Sequence, residues 1–97
     1  MLATPVGKTL DMRNQGEKPQ IRELRAQLLF AANMKRIRLQ KALTQEKIAE
    51  FAELHPNYIS SVERGERNIS IRNIDRIAFA LGVKMVDLLA EEETPGQ

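Results

Sequence analysis

Cysteine and tryptophan are both absent from this chain of 97 residues. Without cysteine there is no disulfide scaffold, no thiolate zinc site and no cysteine nucleophile. His55 is the single histidine, which excludes a multi-histidine metal site. No apolar run approaches the length of about 18 residues that a membrane span needs, and the start lacks a signal-peptide core. The sequence therefore predicts one small domain in the cytoplasm that does not enter the membrane.

No catalytic arrangement is recognisable either. Ser60 and Ser61 have only His55 as a conceivable base, and no glycine-rich loop is present to shape an oxyanion site. The carboxylates are scattered without the spacing of a metal-binding motif. The sequence therefore predicts a protein that is not an enzyme and that holds neither a metal nor a cofactor.

Charge is distributed unevenly along the chain, although the net charge is only +2. Residues 20–43 contain six basic residues and a single acidic one, Glu23, whereas residues 91–97 carry three glutamates. A concentrated basic block favours a partner that bears phosphates. The alternative is an ordinary solvated helix face, which charge alone does not exclude.

Turn-forming residues divide the chain into an arm, five helices and a tail. Residues 1–19 mix proline, glycine and asparagine without an apolar period, so an irregular arm is expected there. A long first helix is predicted for Gln20–Lys41, which contains neither Gly nor Pro. Shorter helices are predicted for Gln45–Ala52, Pro56–Arg64, Ile71–Leu81 and Met85–Ala90. The prediction is an all-α, five-helix domain over residues 20–90, followed by an acidic flexible tail over 91–97.

Start and stop signals support these helix bounds. Thr44 and Ser70 are good N-cap residues for the second and fourth helices. Pro56 suits the first position of the third helix, because a backbone N–H at that position would have no hydrogen-bond partner within the helix. Gly65 and Gly82 are placed to end the third and fourth helices.

Only Glu53-Leu54-His55 separates the second and third helices. Two short helices joined by three residues must cross steeply, as in the helix-turn-helix arrangement, whose second helix projects from the surface. The outward positions of that helix are expected to form a polar strip as wide as a DNA major groove: Asn57, Tyr58, Ser60, Ser61 and Arg64. An ordinary helical hairpin is the alternative, although it usually carries Lys and Glu at such positions.

The segment LTQEKIAEFAELHPNYISSVERG (residues 43–65), with ERNISIRNIDRIAFALGVKMVDLL after it, closely resembles the lambda-repressor-like domain of Cro/CI-type (XRE) regulators. The specific matches are Leu43-Thr44-Gln45-Glu46, Tyr58-Ile59-Ser60, Glu63-Arg64-Gly65 and Asn68-Ile69-Ser70. Within this family the chain is most similar to the controller proteins of restriction–modification systems, which are dimers that bind their own promoters. The resemblance runs from near Phe30 to near Leu89 and implies the family's fold, here with an extended first helix.

The resemblance also implies roles for individual residues. Gln45 matches a glutamine that contacts the phosphate backbone and braces the recognition helix. Arg38 and Glu63 match a charge pair that ties the first helix to the end of the third. His55 is expected to cap the recognition helix or to contact a phosphate. The other DNA-contacting positions lie on that helix or in the loop after it: Pro56, Asn57, Tyr58, Ser60, Ser61, Arg67 and Asn68.

Two positions depart from the family pattern. Many relatives have Gly where this chain has Glu53, and a left-handed backbone there costs a glutamate about 1 kcal/mol. Controller proteins often carry a basic residue at the position of Pro56, and proline can read no base. Direct readout is therefore expected to rely on Asn57, Tyr58 and the serines, with Asn57 pairing most naturally with adenine.

Two apolar stripes are predicted on opposite sides of the first helix. The stripe expected to face the domain core consists of Phe30, Met34 and Ile37. The opposite stripe consists of Ile21, Leu24, Leu28 and Leu39. We expect Ile21, Leu24 and Leu28 to contact a second subunit, together with Phe79 of the fourth helix. The alternatives are a break near Ala31-Ala32 that folds the start of the helix back, and an ordinary surface position for Phe79.

The resulting prediction is a transcriptional regulator that binds double-stranded DNA as a homodimer on a palindromic operator and controls its own promoter. The alternative is an antitoxin-type protein-interaction module on the same scaffold, for which only residues 1–19 could supply the toxin-binding segment. Three glutamates are expected to form an acidic patch on the second helix: Glu46, Glu50 and Glu53. This patch either contacts RNA polymerase or is an ordinary solvated surface.

Overall fold

Five α-helices form the part of the protein that a computed structural model describes, residues 19–91, with side chains from Leu24 onward. They are α1 (Pro19–Gln40), α2 (Gln45–Ala52), α3 (Pro56–Glu63), α4 (Ile71–Leu81) and α5 (Met85–Leu89). The all-α, five-helix prediction is confirmed. Across these residues no helix is long and apolar enough to cross a membrane. Of the predicted arm only Pro19 is described, and of the predicted tail only Glu91. The side chain of Ile21 also lies outside the described residues.

Helix α1 runs without interruption over 22 residues, so the alternative break near Ala31-Ala32 is wrong. It begins at Pro19, one residue before the predicted start, because proline fits the first turn of a helix. Three helices end one residue before their predicted ends, the first of them α1 at Gln40. Arg64 is the C-cap of α3, and Ala90 is the C-cap of α5.

Local hydrogen bonds explain where the short helices begin. Thr44 Oγ1 accepts the backbone N–H of Lys47 at 3.0 Å at the start of α2. Ser70 Oγ accepts that of Asn73 at 3.2 Å at the start of α4. Each bond satisfies one of the N–H groups that a helix leaves unpaired in its first turn. Both predicted N-caps are therefore confirmed.

The core receives apolar side chains from all five helices. Helix α1 packs on α3 and α5, whereas α2 packs on α3 and α4. The predicted inward stripe of α1 is confirmed, because Phe30, Met34 and Ile37 are all buried. Each fully buried side chain of this size contributes about 1.5–3 kcal/mol to folding. The largest fully buried side chains are Met34, Ile48, Ile59, Ile77, Leu81 and Leu88.

Asn33 is a polar side chain within this packing and holds the last helix against α1. Its Nδ2 donates to the carbonyl oxygens of Leu88 and Ala90, each at 2.9 Å. Its Oδ1 accepts from Arg36 Nη2 at 3.0 Å. The carbonyl groups at the end of α5 therefore have partners on a neighbouring helix, which compensates for the shortness of α5.

Candidate nucleic-acid interface

The turn between α2 and α3 contains three residues and has a left-handed backbone at Glu53, with φ 58° and ψ 45°. A residue with a β-carbon therefore occupies this left-handed position, where many relatives have Gly. Arg76 of α4 holds the same turn from outside. Its Nη1 donates to the carbonyl oxygens of Ala52 at 3.4 Å and Glu53 at 3.3 Å. The turn therefore fixes the crossing of α2 and α3.

The end of α3 is joined to α1 and α2 through the carboxylate of Glu63. Arg38 donates to this carboxylate through Nε and Nη2, the second contact at 3.0 Å. Gln45 Nε2 donates to Glu63 Oε1 at 3.0 Å. The ion pair is largely shielded, with 12% of the Arg38 and 4% of the Glu63 side chain exposed. Arg38 and Glu63 thus form the ion pair that the resemblance implies, and Gln45 is bonded to the same carboxylate.

Two consequences follow from this arrangement. The hydrogen bond to Glu63 raises the pKa of Arg38 above its usual value, so the guanidinium stays charged in its partly buried position. Gln45 Nε2 carries two hydrogens, and Glu63 accepts only one of them. The second can donate to a phosphate at the start of α2, where the helix dipole also favours an anion.

The first turn of α3 is exposed and points polar groups to solvent. His55 caps the helix, because its Nδ1 accepts the backbone N–H of Asn57 at 3.0 Å. Pro56 occupies the first helical position, as predicted. The side chains of His55, Pro56 and Asn57 are all exposed. The capping bond uses one ring nitrogen of His55, and the exposed ring leaves its other nitrogen able to bond to a ligand.

Ser61 is buried, with only 4% of its surface exposed, so the prediction that it lies on the outer strip is wrong. Its hydroxyl donates to the carbonyl oxygen of Tyr58 at 2.7 Å and accepts from Arg67 Nε at 2.9 Å. The hydroxyl turns inward because it finds both partners on the protein. Ser61 therefore holds Arg67 in place and does not itself face a ligand.

Tyr58 is half-buried between α3 and α4, less outward than its helical phase predicts. Its hydroxyl accepts a hydrogen bond from Asn73 Nδ2 of α4 at 3.0 Å. The guanidinium of Arg67 lies over its ring, 5.4 Å from the centroid. Tyr58 and Arg67 therefore orient each other, and the hydroxyl hydrogen of Tyr58 is left to donate to a phosphate.

The far end of α3 carries further polar groups. Ser60 is half-buried, while Arg64, Arg67 and Asn68 are exposed as predicted. Arg64 donates to Ser60 Oγ at 2.7 Å and to both carboxylate oxygens of Glu66. We group these residues with those of the first turn as the recognition surface, together with Gln45 at the start of α2: His55, Pro56, Asn57, Tyr58, Ser60, Arg64, Arg67 and Asn68.

The outer stripe of α1 reaches this surface at Gly65. Leu28 packs on that glycine so closely that a β-carbon there would lie 2.6 Å from Leu28 Cδ2. The neighbouring Gln27 donates from Nε2 to the carbonyl oxygen of Gly65 at 2.8 Å. Gly65 also has φ 75°, which favours glycine. About half of Leu28 is exposed, because Gly65 covers part of its side chain.

Sequence reasoning missed three residues of this site, namely Asn73, Arg76 and Glu66. Asn73 and Arg76 lie on α4, and no spacing rule connects them to α3 or to the turn. Glu66 could have been found from the sequence, because it lies two residues after Arg64 at the end of a helix, and opposite charges at such a spacing often pair. Among the described residues no three acidic or histidine side chains approach one another as a metal site requires.

Comparison with known proteins identifies this arrangement. A family model described as helix-turn-helix matches residues 34–88, more than half of the chain. The chain belongs to this family, and its domain is of the XRE type. The family consists of DNA-binding transcription regulators and not of enzymes. The recognition surface is therefore carried by the helix pair after which the family is named.

The similar proteins include controller proteins of restriction–modification systems. Control protein C.BamHI of Bacillus amyloliquefaciens is 51% identical over 63 residues, which cover 64% of this chain and 78% of that protein. The crystal structure of the restriction–modification controller protein C.AhdI from Aeromonas hydrophila superposes with a TM-score of 0.62 at 35% identity, covering 64% of this chain and 94% of that one.

A third similar protein is the hypothetical transcription factor of Neisseria meningitidis serogroup B. It is 41% identical over 73 residues, covering 75% of this chain and 67% of that protein. The predicted family and its similarity to controller proteins are confirmed, and the relatives are DNA-binding transcriptional regulators.

Proposed function

We propose that the protein binds a palindromic DNA operator as a homodimer and regulates its own promoter. Each subunit places α3 in the major groove of one half-site, as helix-turn-helix dimers do. The observation that carries this proposal is the exposed polar surface of α3, which the Arg38–Glu63–Gln45 network fixes relative to α1 and α2.

Base recognition is assigned to the first turn of α3. Asn57 is exposed there and can donate to and accept from an adenine edge in the major groove. Ser60, one turn further on, can reach a base edge or a neighbouring phosphate. Pro56 contributes apolar contact only. Because Arg64 is long and exposed, it extends the same surface toward the end of the half-site.

Backbone contacts flank these bases. Gln45 and His55 lie at the starts of α2 and α3. There the backbone N–H groups and these side chains are proposed to donate to phosphates of one DNA strand. Tyr58 and Arg67 form a second contact point, held together by the ring contact. Asn68 lies beside Arg67 in the loop after α3. Phosphate contacts fix the position of the protein on DNA and make the affinity fall steeply with salt.

Two exposed apolar patches are available for contact with a second copy. The first lies on α1 and contains Leu24, Leu28 and Leu39, which are 52%, 54% and 58% exposed. In the second, Phe79 of α4 is 76% exposed and lines a cleft of about 300 Å³ with Phe51 of α2. We assign the homodimer interface to these patches, because clustered exposed apolar side chains mark interaction surfaces. Ile21, whose side chain lies outside the described residues, is proposed to contact the second copy as well.

Regulation of transcription follows from where the dimer sits. Occupancy over the promoter gives repression, and activation requires contact with RNA polymerase. The acidic residues that are assigned to that contact are exposed: Glu46 and Glu50 of α2, and Glu53 of the turn after it. The proposed location is the cytoplasm, which holds the DNA of the bacteria from which the relatives come. A reporter fused to the gene's upstream region should change when the protein is supplied in trans.

Selection of bound DNA from a random duplex pool tests the proposed function. The expected result is an enriched sequence with approximate two-fold symmetry, bound by the purified protein at moderate salt. If the protein shows no preference between the selected duplex and a scrambled one, the proposal is wrong. That result would instead favour the antitoxin-type module, whose partner-binding segment would fall in residues 1–19.

A further inference from the structure

Arg64, at the exposed end of α3, is already engaged in the free protein. Its Nε and Nη2 donate to the two carboxylate oxygens of Glu66 at 2.9 and 3.1 Å, and its Nη1 donates to Ser60 Oγ at 2.7 Å. Three of the five guanidinium hydrogens are therefore used. The two parallel bonds to Glu66 have the fork geometry by which arginine binds either a carboxylate or a phosphate.

The backbone holds Glu66 in this position. Gly65 adopts φ 75° and closes the end of α3, with its N–H donating to Val62 O and the N–H of Glu66 donating to Ser61 O, both at 3.0 Å. This is the Schellman arrangement that ends many helices. It folds the chain back on the last turn of α3, so the carboxylate of Glu66 is set beside Arg64.

Charge supports the same relationship. The hydrogen bond from Arg64 lowers the pKa of Glu66 below its usual value, and the charge of Arg67 lowers it further. The same hydrogen bond raises the pKa of Arg64. The charges of two arginines of the recognition surface therefore act on one carboxylate, and Arg64 is the one bonded to it.

We propose that Glu66 stands in for a DNA phosphate, occupying Arg64 in the free protein so that DNA must displace it to bind. Glu66 is thus a residue that sets the affinity for the DNA backbone without contacting DNA itself. This inference rests on the proposed DNA interface. Since the pair is exposed and such pairs are weak, its removal is expected to tighten binding by about twofold to fivefold.

The experiment measures binding of a fluorescently labelled duplex of random sequence by anisotropy at moderate salt. It compares the parent with Glu66→Gln, Arg64→Gln, the double variant and Glu50→Gln as a matched control. Glu50 also forms an exposed ion pair, with Lys47 at 3.3 Å on α2, so Glu50→Gln removes the same charge and a similar pair away from α3. Far-UV circular dichroism confirms that each variant is folded.

Glu66→Gln is expected to tighten binding more than Glu50→Gln does, and this excess should vanish when Arg64 is already Gln. Equal tightening by both glutamate variants would show a simple effect of net charge and overturn the proposal. Persistence of the excess in the Arg64→Gln background would also overturn it. If the folded parent binds neither this duplex nor one selected from a random pool, the proposed function fails together with this inference, whereas a parent that binds like Glu66→Gln contradicts the inference alone.

Discussion

Arg38 and Glu63 form an ion pair with two hydrogen bonds that joins the end of the recognition helix to α1. The pair lies 25 residues apart in sequence and is almost closed to solvent. Arg38 also donates from Nη1 to the carbonyl oxygen of Leu43 at 2.8 Å, in the loop before α2. One guanidinium thus fixes three elements whose relative positions the helix-turn-helix requires.

Loss of this ion pair is expected to be strongly destabilising. Glu63→Ala leaves Arg38 charged and partly buried without its partner, and should lower the free energy of unfolding by about 3 kcal/mol. Urea denaturation measures the change. Glu50→Gln is the matched control, because it breaks the exposed pair with Lys47 and should lose less than about 1 kcal/mol. Equal losses in the two variants would show that Arg38–Glu63 behaves as a surface pair.

Glu53→Gly is expected to stabilise the protein. Glu53 has φ 58°, a conformation that costs a residue with a β-carbon about 1 kcal/mol and glycine almost nothing. The free energy of unfolding should therefore rise by about 1 kcal/mol. The same change inside α2, Glu50→Gly, should lower it by about 1 kcal/mol, since glycine weakens a helix interior. Destabilisation by both changes would contradict this account of the turn.

Asn57→Ala should change which sequence is selected, because Asn57 is the exposed residue of the first turn of α3 to which we assign base recognition. Repeating the duplex selection with this variant should relax the preference at one position per half-site, corresponding to about 1–3 kcal/mol of discrimination. Gln45→Ala should weaken binding to all sequences alike, since Gln45 is assigned to phosphate. If Asn57→Ala selects the same motif as the parent, Asn57 does not read a base.

The two apolar patches can be tested separately for dimerisation. The double change Leu24→Asp and Leu28→Asp should shift the protein toward monomer in sedimentation velocity and weaken operator binding. Leu28 also packs on Gly65, so Leu24→Asp alone serves as the variant that leaves this contact intact. Phe79→Ser tests the α4 patch in the same way. Variants that remain folded and sediment like the parent would exclude the corresponding patch.

Local patterns in the sequence were sufficient for much of the fold. The Thr44 and Ser70 caps, the Pro56 start and the Gly82 stop each act within one helical turn, so neighbouring residues alone determine them. The inward stripe of α1 follows in the same way from helical periodicity. The Arg38–Glu63 pair is a long-range contact and was predicted through the family resemblance.

Tertiary packing decided the details of the recognition surface. Ser61 is a polar residue that the sequence pattern places on the outer face of the helix. Its hydroxyl is nevertheless buried, because it bonds to the carbonyl oxygen of Tyr58 and to the side chain of Arg67. Tyr58 is held by Asn73, which lies 15 residues away on α4. Periodicity gives the direction of a side chain from its own helix, whereas burial depends on which groups another part of the chain brings within hydrogen-bonding distance.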